Sequence, residues 1–153
     1  MKLEGALLLN ADLTQGWLDF ATLARCSMDE ATFDGASLTD VDMTKSVADQ
    51  ASFAGARLAR AKLAQVRFTS AVLTGADLGS TNLEGADLTN ARLEDAILSL
   101  AICRNAKLGG ADLTGATLHQ TDLAGADLTG ARLERVDRST ANFEGAKLDA
   151  VNR

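Results

Sequence analysis

The chain has 153 residues, room for one domain, with 15 Lys and Arg against 21 Asp and Glu and a net charge of −6. That acidity, with a pI near 4.7, excludes non-specific binding to DNA or RNA, which needs a basic footprint. There is no Pro and no Tyr, one Trp, one His and 4% aromatic residues, so acid–base groups other than carboxylates are scarce.

From the first residue, the run Met1-Lys2-Leu3-Glu4-Gly5-Ala6-Leu7-Leu8-Leu9-Asn10 is too short, and carries an acid, for a secretory leader. No stretch approaches the length of a transmembrane span. Two cysteines cannot build a disulfide framework, which makes a reducing cytoplasm the expected compartment.

A period of five then runs through the whole chain. Ala-Asp-Leu-Thr-Gly occurs at Ala111–Gly115 and again at Ala126–Gly130, with near copies at Ala76-Asp77-Leu78 and Ala86-Asp87-Leu88. Every fifth residue from Leu3 to Leu148 is Leu, Phe or Met, apart from Ala48, Cys103 and Arg138. Two residues earlier sits a small side chain, most often Ala, and two residues later comes the column that holds most glycines, such as Gly35, Gly55, Gly75 and Gly145.

This period fits neither ordinary element. Five residues advance the face of an α-helix by roughly 140°, which smears the Leu column around the axis. In a continuous strand an odd period sends Leu to the opposite face at each repeat. Only a chain that turns every five residues keeps those leucines together. Ala-x-Leu reads as a short strand with two inward residues flanking an outward one. The next pair reads as a corner where Gly tolerates positive φ. Stacked turns of this kind make a solenoid.

The consensus Ala-Asp/Asn-Leu-x-x resembles the pentapeptide repeat family over essentially the whole chain, 1–153, as one domain. The resemblance implies an all-β fold, a right-handed quadrilateral parallel β-helix with four pentapeptides per coil. Thirty repeats make about seven and a half coils, a rod roughly 35 Å long at the spacing of stacked strands.

Residues 20 apart then share a face. Residues 51–75 hold Arg57, Arg60, Lys62 and Arg67 and no acid, which predicts a positive belt between negative zones, either a solvated surface or a docking site for an acidic partner. Leu7, Leu9, Trp17 and Phe20 fall in outward or corner columns of the first coil, as a cap over the open end or a partner surface. Ile97, Leu100 and Ile102 form a second outward group; Trp17 and Ile97 share a face four coils apart. Arg138 falls in an inward column, where burial is costly, so the last coil either loosens or supplies a carboxylate. An edge left open at a solenoid end invites a homodimer there.

Chemistry has little to work with. Cys26 and Cys103 fall in inward columns too far apart for a disulfide and read as buried thiols. His119 stacks between Ser99 and Ser139 with Asp137 near, but ladder spacing is too long for a relay, and no concavity is expected there. No metal site, cofactor or phosphate loop is indicated. The expected function is a non-enzymatic, rigid protein-interaction scaffold in the bacterial cytoplasm. The alternative, implied by the family resemblance, is a DNA-mimicking binder of DNA gyrase and topoisomerase IV that protects them from quinolones or peptide toxins. The basic coil and the Ala-Asp-Leu style of the repeat speak against that alternative. An inward change such as Leu78→Asp should break the stack, whereas the outward Asp77→Ser should barely register.

Overall fold

The computed structural model describes residues 1–152 and shows a β-solenoid. Every pentapeptide but that of Asp137 joins a parallel bridge, always to the residue 20 positions away. Four ladders result. The first runs through Lys2, Thr22, Asp42, Lys62, Asn82 and Ile102; the second through Leu7, Ser27, Val47 and Arg67; the third through Asp12, Thr32, Ser52 and Val72; the fourth through Trp17, Ser37, Arg57, Asp77, Ile97 and Thr117.

The corner between ladders has a fixed backbone requirement. The residue two after each Leu takes a left-handed φ, as at Gly35 (φ 64), but also at Phe20 (φ 59), Arg60 (φ 59) and Leu100 (φ 63). Glycine enters this conformation freely, whereas other residues do so at a cost of about 1 kcal/mol or more. The corner is therefore imposed by the stack and not by glycine alone.

Hydrogen bonds follow the same five-fold rule. Leu3 N–H donates to the Thr22 carbonyl (2.8 Å), Thr22 N–H to Met1 (3.0 Å), Gly5 N–H to Ala24 (2.9 Å), and Ala6 N–H closes the corner onto Leu3 (2.9 Å). Four of every five amides are thus paired with backbone; among the described residues, none in the position just after Leu is. Where an Asp or Asn stands suitably placed, its side chain is the acceptor. Asp12 accepts from Thr14 N–H (3.0 Å), Asp77 from Gly79 (2.9 Å), Asn82 from Glu84 (3.0 Å) and Asp112 from Thr114 (3.0 Å). Elsewhere a corner aspartate of the preceding coil serves instead, Asp19 for Thr39 (2.8 Å) and Asp34 for Ala54 (3.0 Å). The Asp/Asn of the repeat thus fills a backbone vacancy, an Asx-type bond. Asp77, outward as its column predicts, thus also holds a backbone amide.

The Leu and Ala columns fill the interior without a break from Leu18 to Leu133. Phe33 stacks on Phe53 with centroids 4.7 Å apart, and Phe68 meets Phe53 edge-on at 5.2 Å. The hydroxyls of the three fully buried polar residues are satisfied: Ser46 donates to Leu23 O (2.6 Å), Thr81 to Leu78 O (2.7 Å) and Thr121 to Leu98 O (2.7 Å); the Thr114 hydroxyl oxygen is buried without a partner. Cys26 and Cys103 are free buried thiols, and burial pushes the Cys103 thiol up to about 12, so neither is a nucleophile at neutral pH.

The fourth ladder stops at Thr117, without the Thr117–Asp137 bridge that would continue it. Arg138, in its inward column, is only half-buried, because a buried guanidinium without a carboxylate is too costly. Among the described residues Thr140 is the one corner residue without a left-handed φ, a conformation that its branched Cβ disfavours. Of the two outcomes open for Arg138, the coil loosens. Gln120 N–H, without the Ser139 carbonyl, takes Thr140 Oγ1 instead (3.1 Å).

Replacing Leu78, which has no solvent exposure, by Ala should cost about 2–5 kcal/mol in a urea titration, and Leu78→Asp should abolish the cooperative transition. Asp77→Ala, which orphans the Gly79 amide, should lower Tm by about 2–4 °C, while Asp77→Asn keeps it. Asp12 and Asp127 are held below the ordinary carboxylate range by the hydroxyls and amides of Thr14 and Thr129. At Asp87 and Asp112 partial burial works upward but is outweighed by the hydroxyls and amides of Thr89 and Thr114. Because these folded-state values lie below the unfolded ones, the unfolded chain takes up protons first. Stability should hold from neutral pH to about pH 4 and fall as pH drops further. Asp→Asn at positions 87, 112 and 127 together should flatten that acid limb, as followed by circular dichroism. Arg138→Leu with Thr140→Gly should restore the fourth ladder, slowing hydrogen exchange at the Leu118 amide to the rate of its neighbour Leu98.

Candidate functional site

Five exposed apolar side chains gather along one side of the solenoid, at the fourth ladder, the first ladder and the corner between them. Trp17 is 84% exposed and Phe20 73% on the first coil; Ile97 and Leu100 stand out on the fifth, with Ile102 at the start of the sixth. Ladder order places Trp17 and Ile97 in one row, and Phe20 and Leu100 in one corner row, four coils or about 19 Å apart. Leu7 and Leu9 do not join them. Leu7 belongs to the second ladder, and ladders two and four are not neighbours around the coil. The first-coil group expected from sequence is therefore two groups on opposite sides.

Phe20 and Leu100 break the local rule most sharply. Large apolar side chains sit exposed at left-handed corners that Gly or Asn would occupy with less strain, and nothing in the interior is gained by their presence. Phe20 and Leu100 thus combine a disfavoured backbone conformation with exposed apolar area.

Trp17 is fixed in place. Its indole N–H donates to Asp19 Oδ2 (2.6 Å), and Asp19 Oδ1 accepts from the Ser37 hydroxyl (2.7 Å) and the Thr39 amide (2.8 Å). Slight burial works to raise the Asp19 carboxyl, yet these bonds, with Ser37 foremost, hold it below the ordinary range. Beside the indole lies a hollow of about 330 Å³, lined by Gln15, Gly16, Trp17, Asp19, Gly35, Ser37 and Arg57. An anchored aromatic next to a guanidinium is the composition of an interface hot spot.

The positive belt is only half as charged as the sequence predicts. Arg60 forms a two-pronged pair with Asp40 (3.0 and 2.6 Å), and Arg67 bonds Asp49 through Nε (2.7 Å) and Nη2 (2.6 Å). Both acids lie on the preceding coil, so inter-coil pairing neutralises the belt where it meets the acidic zone. Arg57 and Lys62 have no carboxylate within 4.0 Å among the described residues, and both border the apolar side.

His119 has surroundings that differ from the expected ones. Its Nδ1 is 3.1 Å from Thr140 Oγ1, and neither Ser99 nor Ser139 hydrogen-bonds the imidazole; the ladder gap leaves a hollow of about 200 Å³ lined by Thr117, Leu118, His119, Arg135, Asp137 and Thr140. The expectation of no concavity is thus overturned. Asp137 is engaged by the Ser139 amide (2.9 Å) and not by the imidazole, so imidazole and hydroxyl lack the orienting carboxylate of a nucleophile–base relay. Among the described residues no His, Cys, Asp and Glu group could hold a metal ion, and no helix is long and apolar enough to cross a membrane.

Column position in the sequence already marks Phe20 and Leu100: both stand where the repeat prefers Gly, Asn, Gln or Asp. The anchoring of Trp17 by Asp19 and the Thr140 contact have no comparable signature, since they depend on side-chain rotamers and on the ladder gap.

The family model for pentapeptide repeats matches residues 6–44, 51–90, 80–115, 101–137 and 111–149. Among solved structures, a trypsin-treated variant of QnrB1, a plasmid-mediated fluoroquinolone resistance protein, is similar with a TM-score of 0.72 at 20% identity, over 96% of this chain and 83% of that one. HetL, a pentapeptide repeat protein involved in heterocyst differentiation regulation in the cyanobacterium Nostoc sp. strain PCC 7120, is 28% identical over 99% of this chain and 82% of its own, with a TM-score of 0.43. A pentapeptide repeat protein of the Arabidopsis thaliana thylakoid lumen is 32% identical over 72% of this chain and 67% of its own, with a TM-score of 0.41. Comparison with curated proteins finds no match. With five-residue columns, bridges 20 residues apart and a family match along most of its length, the chain belongs to the pentapeptide repeat family.

Proposed function

We propose that this chain is a non-enzymatic protein-interaction scaffold, a right-handed quadrilateral β-helix of about seven and a half coils that works in the bacterial cytoplasm. It docks a protein along the side that bears Trp17, Phe20, Ile97, Leu100 and Ile102. The observation that carries this reading is the pair Phe20 and Leu100, exposed and strained in one corner row. The solenoid supplies rigidity, because each coil is locked to the next by backbone bonds, so contact groups four coils apart keep a constant separation. Arg57 and Lys62, both without carboxylate partners, add charge selectivity at the rim. Two free, buried thiols suit a reducing compartment.

The gyrase-binding alternative draws on the fold shared with QnrB1 and on the net charge of −6. Duplex mimicry needs a continuous run of free carboxylates. Here many acids are engaged: Asp40, Asp49, Asp87, Asp112, Asp122 and Asp127 pair with Arg or Lys, and others cap backbone amides. The scaffold reading is therefore preferred. A DNA supercoiling assay with gyrase, titrated with this protein with and without a fluoroquinolone, should show neither rescue nor inhibition. Activity at low micromolar protein would reverse the ranking.

The corner residues allow a direct test of docking. Leu100→Gly, alone or with Phe20→Gly, removes the left-handed strain and should raise Tm by about 2–4 °C, yet abolish capture of the protein partner from a native lysate. Leu7→Ser, on the opposite side, should leave capture intact. Capture that survives the corner changes and fails with Leu7→Ser would move the docking side to the second ladder.

A further inference from the structure

Resting on that reading of the Phe20–Leu100 side as a docking surface, we infer that its occupant is a second copy of this chain, laid alongside with its axis antiparallel. The two apolar groups stand on the first and fifth coils of one side, equidistant from the third. A two-fold axis crossing the third coil places Trp17 against Ile97 of the second copy and Phe20 against its Leu100. The reciprocal contacts form at the same time, so a single isologous interface covers both groups.

The polar residues between them fit the same register. About that axis Asp19 faces Ser99, Ser37 faces Asp77, Asp40 faces Ser80 and Asp42 faces Asn82, so each carboxylate meets a hydroxyl or an amide and none meets another carboxylate. A parallel arrangement of the two rods instead opposes Asp40 to itself and Arg57 to Lys62. Like charges meet in the antiparallel pair only around that axis. There Arg57 faces its own image with Asp77 next along the ladder, Lys62 faces its own image between Asp42 and Asn82 on the first ladder, and the Arg60–Asp40 ion pair is already neutral. Salt should accordingly strengthen the association by screening the Arg57 and Lys62 self-contacts. A side about five coils long is smaller than a standard interface of about 1,600 Å², which places the dimer among weak, concentration-dependent ones.

Trp17 is the sole tryptophan and is 84% exposed in one copy, so its emission reports its own burial. As concentration rises, the emission should shift to the blue in step with the appearance of dimer in sedimentation. Leu100→Asp should weaken both changes by about ten-fold or more. Leu100 lies four coils from Trp17 within a copy, so its effect on the indole passes only through the second copy. Asp already occupies the equivalent corners at Asp40 and Asp95 with φ 55 and 56, so the variant is compatible with the fold. Phe20→Cys with Leu100→Cys should give a disulfide-linked dimer that neither single change gives; a dimer from Leu100→Cys alone would overturn the antiparallel register. A dimer whose Trp17 emission does not move, or which Leu100→Asp leaves intact, would overturn the proposal in favour of contact elsewhere, such as a solenoid end. A monomer at every concentration overturns the second copy as occupant, and the docking surface itself then stands or falls on the Leu100→Gly capture experiment.

Discussion

Everything in this molecule depends on a left-handed residue at every fifth position. That φ turns the chain after each short strand, so Leu returns to the interior although an odd period would send it outward in a straight strand. With the turn fixed, residues 20 apart come into register and their backbones pair. The interior then fills with stacked Leu, Phe and Ala. Corner, ladder and core support one another: bridges between successive coils hold non-glycine residues such as Arg25, Glu30 and Arg60 in a conformation they would not choose alone.

The same geometry explains the acidity. Once the ladders are drawn, one amide per pentapeptide has no backbone acceptor, and in many repeats the Asp or Asn before Leu, or an aspartate from the previous coil, supplies one. A carboxylate in that place does structural work first and surface work second. Cations then pair with many of the acids from coil to coil, as Arg60 does with Asp40 and Arg104 with Asp122. Net charge is therefore a poor guide to what this surface binds, because much of it is spent on the fold itself.

Function is more legible where the repeat is broken. Arg138 and Thr140 each violate a column rule, and together they open the fourth ladder and expose the hollow near His119. Phe20 and Leu100 violate the corner rule without disturbing the stack: their ladders run on, and only local strain and exposed apolar area distinguish them. The first kind of violation changes the structure; the second leaves the structure intact and adds a surface. That contrast is why the corner row, and not the ladder gap, carries the functional reading.

The amino-acid sequence by itself determined the inward columns, the corner column and the absence of a helical or flat-sheet solution, because the period of five admits only a chain that turns at every repeat. It also marked Trp17, Phe20, Ile97, Leu100 and Ile102 as outward. The tertiary structure decided what those columns become. It placed Leu7 and Leu9 on the opposite side from Trp17, since ladder order around the coil is a property of closure and not of the repeat. It paired Arg60 and Arg67 with acids 20 and 18 residues earlier, dissolving half of a basic belt that looks continuous along the chain. It also gave Asp77 and its equivalents a backbone partner, which no periodicity reveals, because an unpaired amide exists only after every other amide has been paired.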